Sequence, residues 1–386
     1  MEATRDLAIA HYIAAALKTL PAGHTFAIRV IYTEDSPVES LTPQRQHKHF
    51  TAENTLSRRV LILVSQNDCF VAGLEAQEFT TLRLEIGDSR IPEQTIGVNA
   101  CISKVDTTGE HARMPLVRML VAGYLASLHR YSLALDIVSV GIHLFARAQP
   151  EYLFANSKHN PSKRTLDDSK LIAWWQRTLQ FGLTYAMEHS SESTCITDKT
   201  VAYCVVPGGE QQCIRDDSAV EWKWGLPHPP EATAHNCVLQ FPDDPITRLL
   251  AEPHTRPWSV SMLLEMLAIG EECGSGHRTA FFSAALPIAP ASLKDAPKFD
   301  ETAVQGTLSF ADYDKMLVVL FGHNMDFSTS KLAAESSKTM MEYLRSINVS
   351  STQVKTGGLA ITTEKPPAVA PVNDLSSIVR KKRKTS

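Results

Sequence analysis

The chain has 386 residues, 44% of them hydrophobic, 7% aromatic and 21% charged. These proportions exclude a coiled coil, a collagen-like fibre and a wholly disordered chain, and the length predicts one large domain or two fused ones. The net charge is −4, and the run Arg380-Lys381-Lys382-Arg383-Lys384 holds five of the positive charges, so the rest of the chain carries −9. A mildly acidic body with a basic tip argues against general DNA binding and suits a basic substrate or partner. No apolar run reaches the eighteen or so residues needed to cross a bilayer, and Asp6 and His11 interrupt the N-terminal stretch, so neither a membrane span nor a signal peptide is expected. Seven cysteines without a C-x-x-C pair read as reduced thiols of a cytosolic or nuclear protein.

In chain order, residues 8–20 have the spacing of a short amphipathic helix closed by Pro21-Ala22-Gly23. The β-branched stretch Arg59–Ser65 predicts a buried strand. Strands follow at Cys69–Ala76, at Thr80–Ile86 (ended by Gly87-Asp88) and at Ile96–Ser103, the last running into Val105-Asp106-Thr107-Thr108-Gly109 with turn chemistry. Pro115 opens a helical pattern through Leu128, because a proline at the first helical position gives up an N–H that has no partner there. Ile137–Phe145 predicts a strand, Leu153–Arg164 a polar loop, and Asp167 or Asp168 caps a long helix carrying Leu171, Trp174, Trp175, Leu179 and Tyr185. Strands are expected at Thr200–Val206, Cys237–Phe241 and Arg278–Ala285, and helices at 258–270, Tyr313–Phe321 and Lys331–Ile347. The fold class expected is α/β, a central mixed sheet surrounded by helices. The domain is expected over residues 1–350, with a flexible tail over 351–386 that ends in the basic run.

Several chemistries lack their motifs. There is no G-x-G-x-x-G, no phosphate loop with G-K-[ST], no H-E-x-x-H and no C-x-x-C, so no resident metal is expected. His235-Asn236-Cys237 reads as a packed thiol beside a surface imidazole. Phe241-Pro242-Asp243-Asp244-Pro245 has two readings: Asp244 caps a helix with Pro245 at its first position, or an acidic pair stands at the lip of a sheet where a lysine docks. Asp106 is likewise either an Asx-turn residue or an acidic point of a site. Adjacent tryptophans on a helix point about 100° apart, so Trp174 and Trp175 either span a wide core face or one of them walls a pocket. Arg113, Arg118, Lys158, Lys163 and Arg164 flank a helix start and a polar loop, as a solvated surface or as a pyrophosphate site.

Taken in order, Ser103-Lys104-Val105-Asp106-Thr107-Thr108-Gly109, then Glu151-Tyr152-Leu153-Phe154 with Leu171-Ile172-Ala173-Trp174-Trp175, then Phe241-Pro242-Asp243-Asp244-Pro245, and Leu359-Ala360-Ile361-Thr362 before a basic C-terminus resemble the fungal histone H3 lysine acetyltransferases of the regulator-of-Ty-transposition family. That family is a structural relative of the CREB-binding-protein acetyltransferases. The resemblance implies a CREB-binding-protein-like fold and transfer of acetyl from acetyl-CoA to H3 lysines. The targets it implies are a core-region lysine near the point where DNA enters the nucleosome and lysines of the tail, in replication-coupled nucleosome assembly and the DNA damage response. It implies a nuclear protein that uses histone H3–H4 as substrate, works with chaperones of the anti-silencing and nucleosome-assembly-protein types, and makes no sequence-specific nucleic-acid contact. The catalytic positions it implies are Asp244, Asp106, Trp175 and Tyr152. The CoA groove it implies is lined by Val105, Asp106, Thr107, Met114, Pro115, Leu116, Val117, Arg118, Phe145, Gln149, Arg164, Thr165, Leu166 and Trp174. One position departs: where the family often has a lysine that becomes acetylated after Asp-Asp-Pro, this chain has Ile246. That departure raises the alternative of a non-catalytic histone-chaperone adaptor. A thiol hydrolase using Cys101 or Cys237 is a further alternative without a supporting motif.

Overall fold

The computed structural model describes residues 2–42, 52–84, 94–110, 114–134, 139–190, 199–210, 219–270, 273, 278–286 and 306–357. Helix α1 (Glu2–Lys18) precedes strands β1 (Thr25–Thr33), β2 (Ser36–Val38), β3 (Ala52–Gln66), β4 (Cys69–Leu84) and β5 (Gln94–Thr107). Helix α2 (Leu116–Ala134) crosses to β6 (Ser139–Ala146), and α3 (Asp168–Ser190) leads to β7 (Thr200–Val205) and β8 (Val220–Trp224). Then come α4 (Ala234–Cys237), α5 (Pro245–Leu250), α6 (Val260–Ile269), β9 (Ala280–Leu286), β10 (Thr307–Leu308), α7 (Phe310–Leu320), α8 (Ser330–Ser346) and β11 (Thr352–Lys355). One mixed sheet runs in the order β10-β1-β3-β4-β5-β6-β9-β7-β8, with β11 also pairing β1 and β2 pairing β3.

Local chemistry explains the pairings. Asn67 and Asp68, at φ 50° and 57°, make the two-residue left-handed turn that suits the twist of a hairpin, and β3 and β4 pair along nearly their whole length around it. The strands β5 and β6 are parallel and joined by the α2 crossover, which requires a helix over the sheet. Along β6 every second residue, Val140, Ile142, Leu144 and Ala146, is buried, so the strand has one core face and one half-open face.

Helices cover both faces. On one, α1, α2 and α3 pack on Val30, Ile62, Leu74, Ala100 and Ile142 to form the main core. Here α1 and α2 approach so closely that a Cβ on Gly123 would stand 2.5 Å from Ile13 Cα. On the other face, α7 and α8 cover Ile31, Leu61, Leu63 and Phe70, while α5 and α6 cover Val205 and Phe281. The three-layer architecture answers to the expected mixed α/β class.

Several expectations are corrected. The two expected strands Cys69–Ala76 and Thr80–Ile86 are one strand as far as Leu84, β4, because both bulges in its pairing with β5 are absorbed without breaking the ladder; Glu85, Ile86 and the expected stop at Gly87-Asp88 lie outside the described residues. Cys237–Phe241 is not a strand. A single helical turn, α4, ends there, with Val238 N–H donating to Ala234 O. His235 is buried and bonded to Thr255 Oγ1 while Cys237 is half-buried, the reverse of the packed thiol beside a surface imidazole. The domain does not close at residue 350: Thr352–Lys355 pair with β1, so the sheet takes in residues assigned to the tail. Arg113, Leu359–Thr362 and the basic run Arg380–Lys384 lie outside the described residues.

Candidate active site

The cleft arises where two parallel strands part. The β5–β6 ladder runs from Gly97↔Ser139 to Cys101↔His143 and stops there, although β5 continues to Thr107 and β6 to Ala146. A bulge in the β4–β5 pairing between Glu75 and Ala76 leaves Ser103 as the extra residue, and bulges bend the strand that carries them. Beyond it β5 stays paired with β4, from Lys104 to Thr107, and no longer with β6. A cleft of about 330 Å³ opens in the gap, at the carboxyl ends of both strands. In open α/β sheets this is the usual place for a ligand, because the loops and helix N-termini converge there.

The cleft gathers side chains from five segments. Val105, Asp106 and Thr107 come from the end of β5; Met114, Pro115, Leu116, Val117 and Arg118 from the start of α2; Phe145 from β6; Gln149 and Tyr152 from the loop after it; Arg164, Thr165, Leu166, Trp174 and Trp175 from the approach to α3 and its first turns. All the site positions implied by the resemblance therefore fall on one cleft, with the exception of Asp244. The two indoles meet edge to face with centroids 4.9 Å apart; Trp175 is 5% exposed and roots the wall in the main core, while Trp174 is half-buried. Both readings of the tryptophan pair hold at once. Asp167 caps α3 through the Lys170 N–H, and Asp168 accepts from the N–H groups of Ala148 and Arg278, which ties the exit of β6 to the entrance of β9.

Asp106 is the most heavily bonded carboxylate of the site. It sits on the strand itself, correcting the Asx-turn expectation. Its Oδ2 accepts from the backbone N–H groups of Tyr152, Leu153 and Phe154 at 2.8, 2.9 and 3.2 Å. Its Oδ1 accepts from Thr107 N–H at 2.8 Å and from Lys163 Nζ at 2.6 Å, and the Lys163 ammonium also donates to Ser157 Oγ. The ion pair is almost fully buried, at 5% and 3% side-chain exposure. Lys163, read from sequence only as one of a cationic group, is the partner that reasoning missed. Nothing in its local pattern pairs it with a carboxylate 57 residues earlier. Tyr152 donates its hydroxyl to Arg147 O and accepts from Gln149 N–H, and burial pushes its pKa above the usual phenol value.

Arg118 is unlike the other cations. Burial lowers its pKa, Arg177 adds to that, its guanidinium lies 5.9 Å from the Phe181 ring centroid, and its Nε is buried with no hydrogen-bond partner. A half-buried guanidinium at the start of a helix is a setting for phosphate oxygens, which the unpaired N–H groups of a first turn also favour. This orphaned donor fits the diphosphate of a coenzyme A thioester.

A second chamber of about 270 Å³ adjoins the first. Its walls include Asn99 and Cys101 of β5, His143 and Phe145 of β6, Phe281 and Ser283 of β9, and Phe241, Asp244 and Ile246. Phe145 lines both spaces, so the two meet at this residue. Asp244 is 6% exposed and caps α5, its Oδ1 accepting from Ile246 N–H at 2.9 Å, with Pro245 at the first helical position. The helix-cap reading of this segment is realised, and the capping carboxylate also lines the chamber, whereas Asp243 is exposed and is not part of its wall. Ile246 is 4% exposed and packs into the apolar cluster of α5, α6 and Phe281. Cys101 also lines the chamber, but burial and the nearby Asp244 push its thiol well up, which makes it a poor nucleophile at neutral pH. Among the described residues, no group of three or more His, Cys, Asp or Glu side chains is arranged to hold a metal ion, and no helix is long and apolar enough to cross a membrane.

The histone acetyltransferase KAT11-type domain family matches residues 133–343. Histone acetyltransferase rtt109 of Aspergillus flavus is 26% identical over 424 residues, covering 92% of this chain and 71% of that protein. The Schizosaccharomyces pombe protein of the same name is 26% identical over 238 residues, 58% of each chain. The crystal structure of Rtt109 from Aspergillus fumigatus superposes with a TM-score of 0.65 at 22% identity, covering 91% of this chain and 99% of that one, so the fold is shared. With more than half of its length inside the family's domain, the chain belongs to the KAT11-type histone acetyltransferases.

Proposed function

We propose that the larger cleft binds acetyl-CoA, that the Asp244 chamber admits a lysine side chain of histone H3, and that the two substrates meet at Phe145. The observation that carries this reading is that Phe145 lines both a cleft holding the half-buried Arg118 guanidinium and a chamber holding the buried Asp244 carboxylate. In it, Arg118 and the first turn of α2 hold the diphosphate. The free edge of β5 beyond Cys101 offers main-chain groups to the amides of the pantetheine arm, as a missing strand would. Trp174, Trp175 and Leu166 exclude water around the thioester.

At neutral pH roughly one free lysine in 2,500 is unprotonated, so the site must favour loss of a proton and hold the amine close to the carbonyl carbon. Asp244 attracts the ammonium into the chamber and takes up its proton, while the aromatic walls favour the uncharged amine. The amine nitrogen then attacks the thioester carbonyl carbon. A C–N bond forms, the C–S bond breaks, and the proton shed by the nitrogen as it becomes an amide passes to the departing CoA thiolate. Holding both substrates in near-attack geometry contributes several kcal/mol. Asp106, with five donors on its two oxygens, serves as the clamp that fixes the Tyr152 segment against the cleft. This assigns it a positioning part in place of proton relay.

The resemblance supports H3–H4 as substrate, stimulation by histone chaperones and a nuclear location, the last served by the Arg380–Lys384 run. Steady-state acetylation of H3–H4 tests the assignment. Asp244→Asn is expected to lose most turnover while acetyl-CoA affinity stays within about threefold. Trp175→Ala is expected to lose both. Wild-type rates in both variants with chaperone-bound H3–H4 remove the proposal, and zero CoA release by the wild-type protein favours the adaptor alternative.

A further inference from the structure

His143 forms part of the wall of the Asp244 chamber and has no role in the reaction as set out above. It stands two residues before Phe145 on β6, so both side chains leave the strand on the same face. Its neighbours across the sheet are Cys101 on β5 and Ser283 on β9. Nδ1 lies 3.1 Å from Ser283 Oγ, and Nε2 lies 3.1 Å from Asn99 Oδ1. An amide oxygen only accepts, so Nε2 carries the hydrogen and the Ser283 hydroxyl donates to Nδ1. Both nitrogens are in use, and three strands fix the plane of the ring. Burial, reinforced by His228, pushes the imidazole pKa down to about 4, so the ring is uncharged in the working range.

What rests on that ring is the turn that carries Asp244. Phe241 lies against His143 with centroids 5.0 Å apart and planes at 41°, and touches Phe79 at 5.5 Å. It is 4% exposed, and its carbonyl accepts from Asp244 N–H at 3.3 Å. Between the two, Asp243 takes the left-handed conformation at φ 59°, so the turn is tight and has little slack.

We propose that His143 is a positioning residue for the acceptor side of the reaction: its ring, locked by Asn99 and Ser283, supports Phe241 and thereby sets where the Asp244 carboxylate stands relative to Phe145. The proposal rests on the reading of this chamber as the lysine channel. Losing the imidazole leaves a void beneath Phe241, and the ring and its turn settle into it. A displacement of about 1 Å at a reacting group costs on the order of a hundredfold in rate. Neither His143, Phe241 nor Asp244 lines the cleft for acetyl-CoA, so that cleft keeps its walls.

The experiment is a split of kinetic constants in the full-length protein. His143→Ala should lower kcat/KM for H3–H4 by more than tenfold while the dissociation constant for acetyl-CoA stays within twofold. His143→Phe, which keeps a ring under Phe241, should recover to within about threefold of wild type. Phe241→Leu should reproduce the alanine result, and decides the matter if His143→Ala does not fold. The proposal is overturned if His143→Ala keeps wild-type histone kinetics, or if acetyl-CoA affinity falls in step with the histone constants. Asp244→Asn runs in parallel: wild-type behaviour there removes the lysine channel itself, whereas a defect there with normal His143→Ala removes only the present inference.

Discussion

Replacing Asp106 by asparagine tests whether this carboxylate acts on the reaction or on the architecture. The substitution preserves shape and removes one charge from a group with five hydrogen-bond donors around it. An amide has only one accepting oxygen. If that oxygen faces the three N–H groups of residues 152–154, the NH₂ group points at the Lys163 ammonium, donor against donor. If it faces Lys163, the three backbone donors are orphaned. In the less costly orientation, Lys163 is a buried cation, its side chain 5% exposed, with Ser157 Oγ as its remaining bonded partner. Removing one charge of a buried pair costs about 3–5 kcal/mol, chiefly through the uncompensated partner. Asp106→Asn is therefore expected to lower unfolding free energy by ~3–5 kcal/mol, followed in urea through the fluorescence of Trp174 and Trp175. Adding Lys163→Met, which removes the stranded charge, should restore ~2 kcal/mol of it. Acetyl-CoA affinity should fall with Asp106→Asn, because the Tyr152 segment loses its clamp. A variant with lost turnover but an unchanged urea midpoint refutes the argument, and places the carboxylate in the proton path.

Arg118→Gln should raise the KM for acetyl-CoA by about tenfold with little change in KM for histone, and the effect should shrink at high salt; equal constants would detach the orphaned guanidinium from the diphosphate. Gly123→Ala should destabilise the fold by ~1–3 kcal/mol in thermal or urea unfolding, since its Cβ has to displace the backbone of α1 at Ile13. His143 is pushed down to about 4 from 6.5, so below pH 6.5 the unfolded chain binds a proton that the folded chain refuses until about pH 4. Stability should accordingly fall with decreasing pH across that window, by up to ~3 kcal/mol from this group, and be unaffected by it above pH 6.5. The difference between wild type and His143→Phe isolates this part from His11 and His235, whose pKa values are lowered as well.

Elements with a strong period or a proline or acid at their start were legible in the sequence. Pro115 before α2, Asp167 before α3 and the Asp244-Pro245 start of α5 all mark helix starts, because each satisfies or removes an orphan N–H locally. Strands whose partners are remote were harder. Thr25–Thr33 has two strong β-formers in every few residues, but nearly every position from Ala27 onward is buried or half-buried, so the alternation that flags a half-open strand is missing. Thr352–Lys355 is four residues long and exists only because β1 presents an edge to it. At the site, residue types were readable while their pairings were not. Asp106 meets Lys163 and the 152–154 backbone through the path of the chain after β6, and His143 meets Asn99 and Ser283 through sheet register alone.

The sheet's alternation also explains why one strand serves both substrates. Along β6 the even-numbered side chains face α2 and α3 and fix the strand in the core, so the odd-numbered ones have no freedom of tilt of their own. Phe145 is the last odd position, and it falls just past the point where β5 departs. Before that point, at Cys101 and His143, the paired strands offer a continuous floor, which becomes the chamber. After it the gap between the strands becomes the cleft. A shift of β6 by one residue would turn Phe145 into the core and Leu144 or Ala146 into the gap, closing both spaces together. The register of β6 against β9, held from Val140 to Ala146, therefore sets the meeting point of thioester and amine as firmly as any side chain in the site.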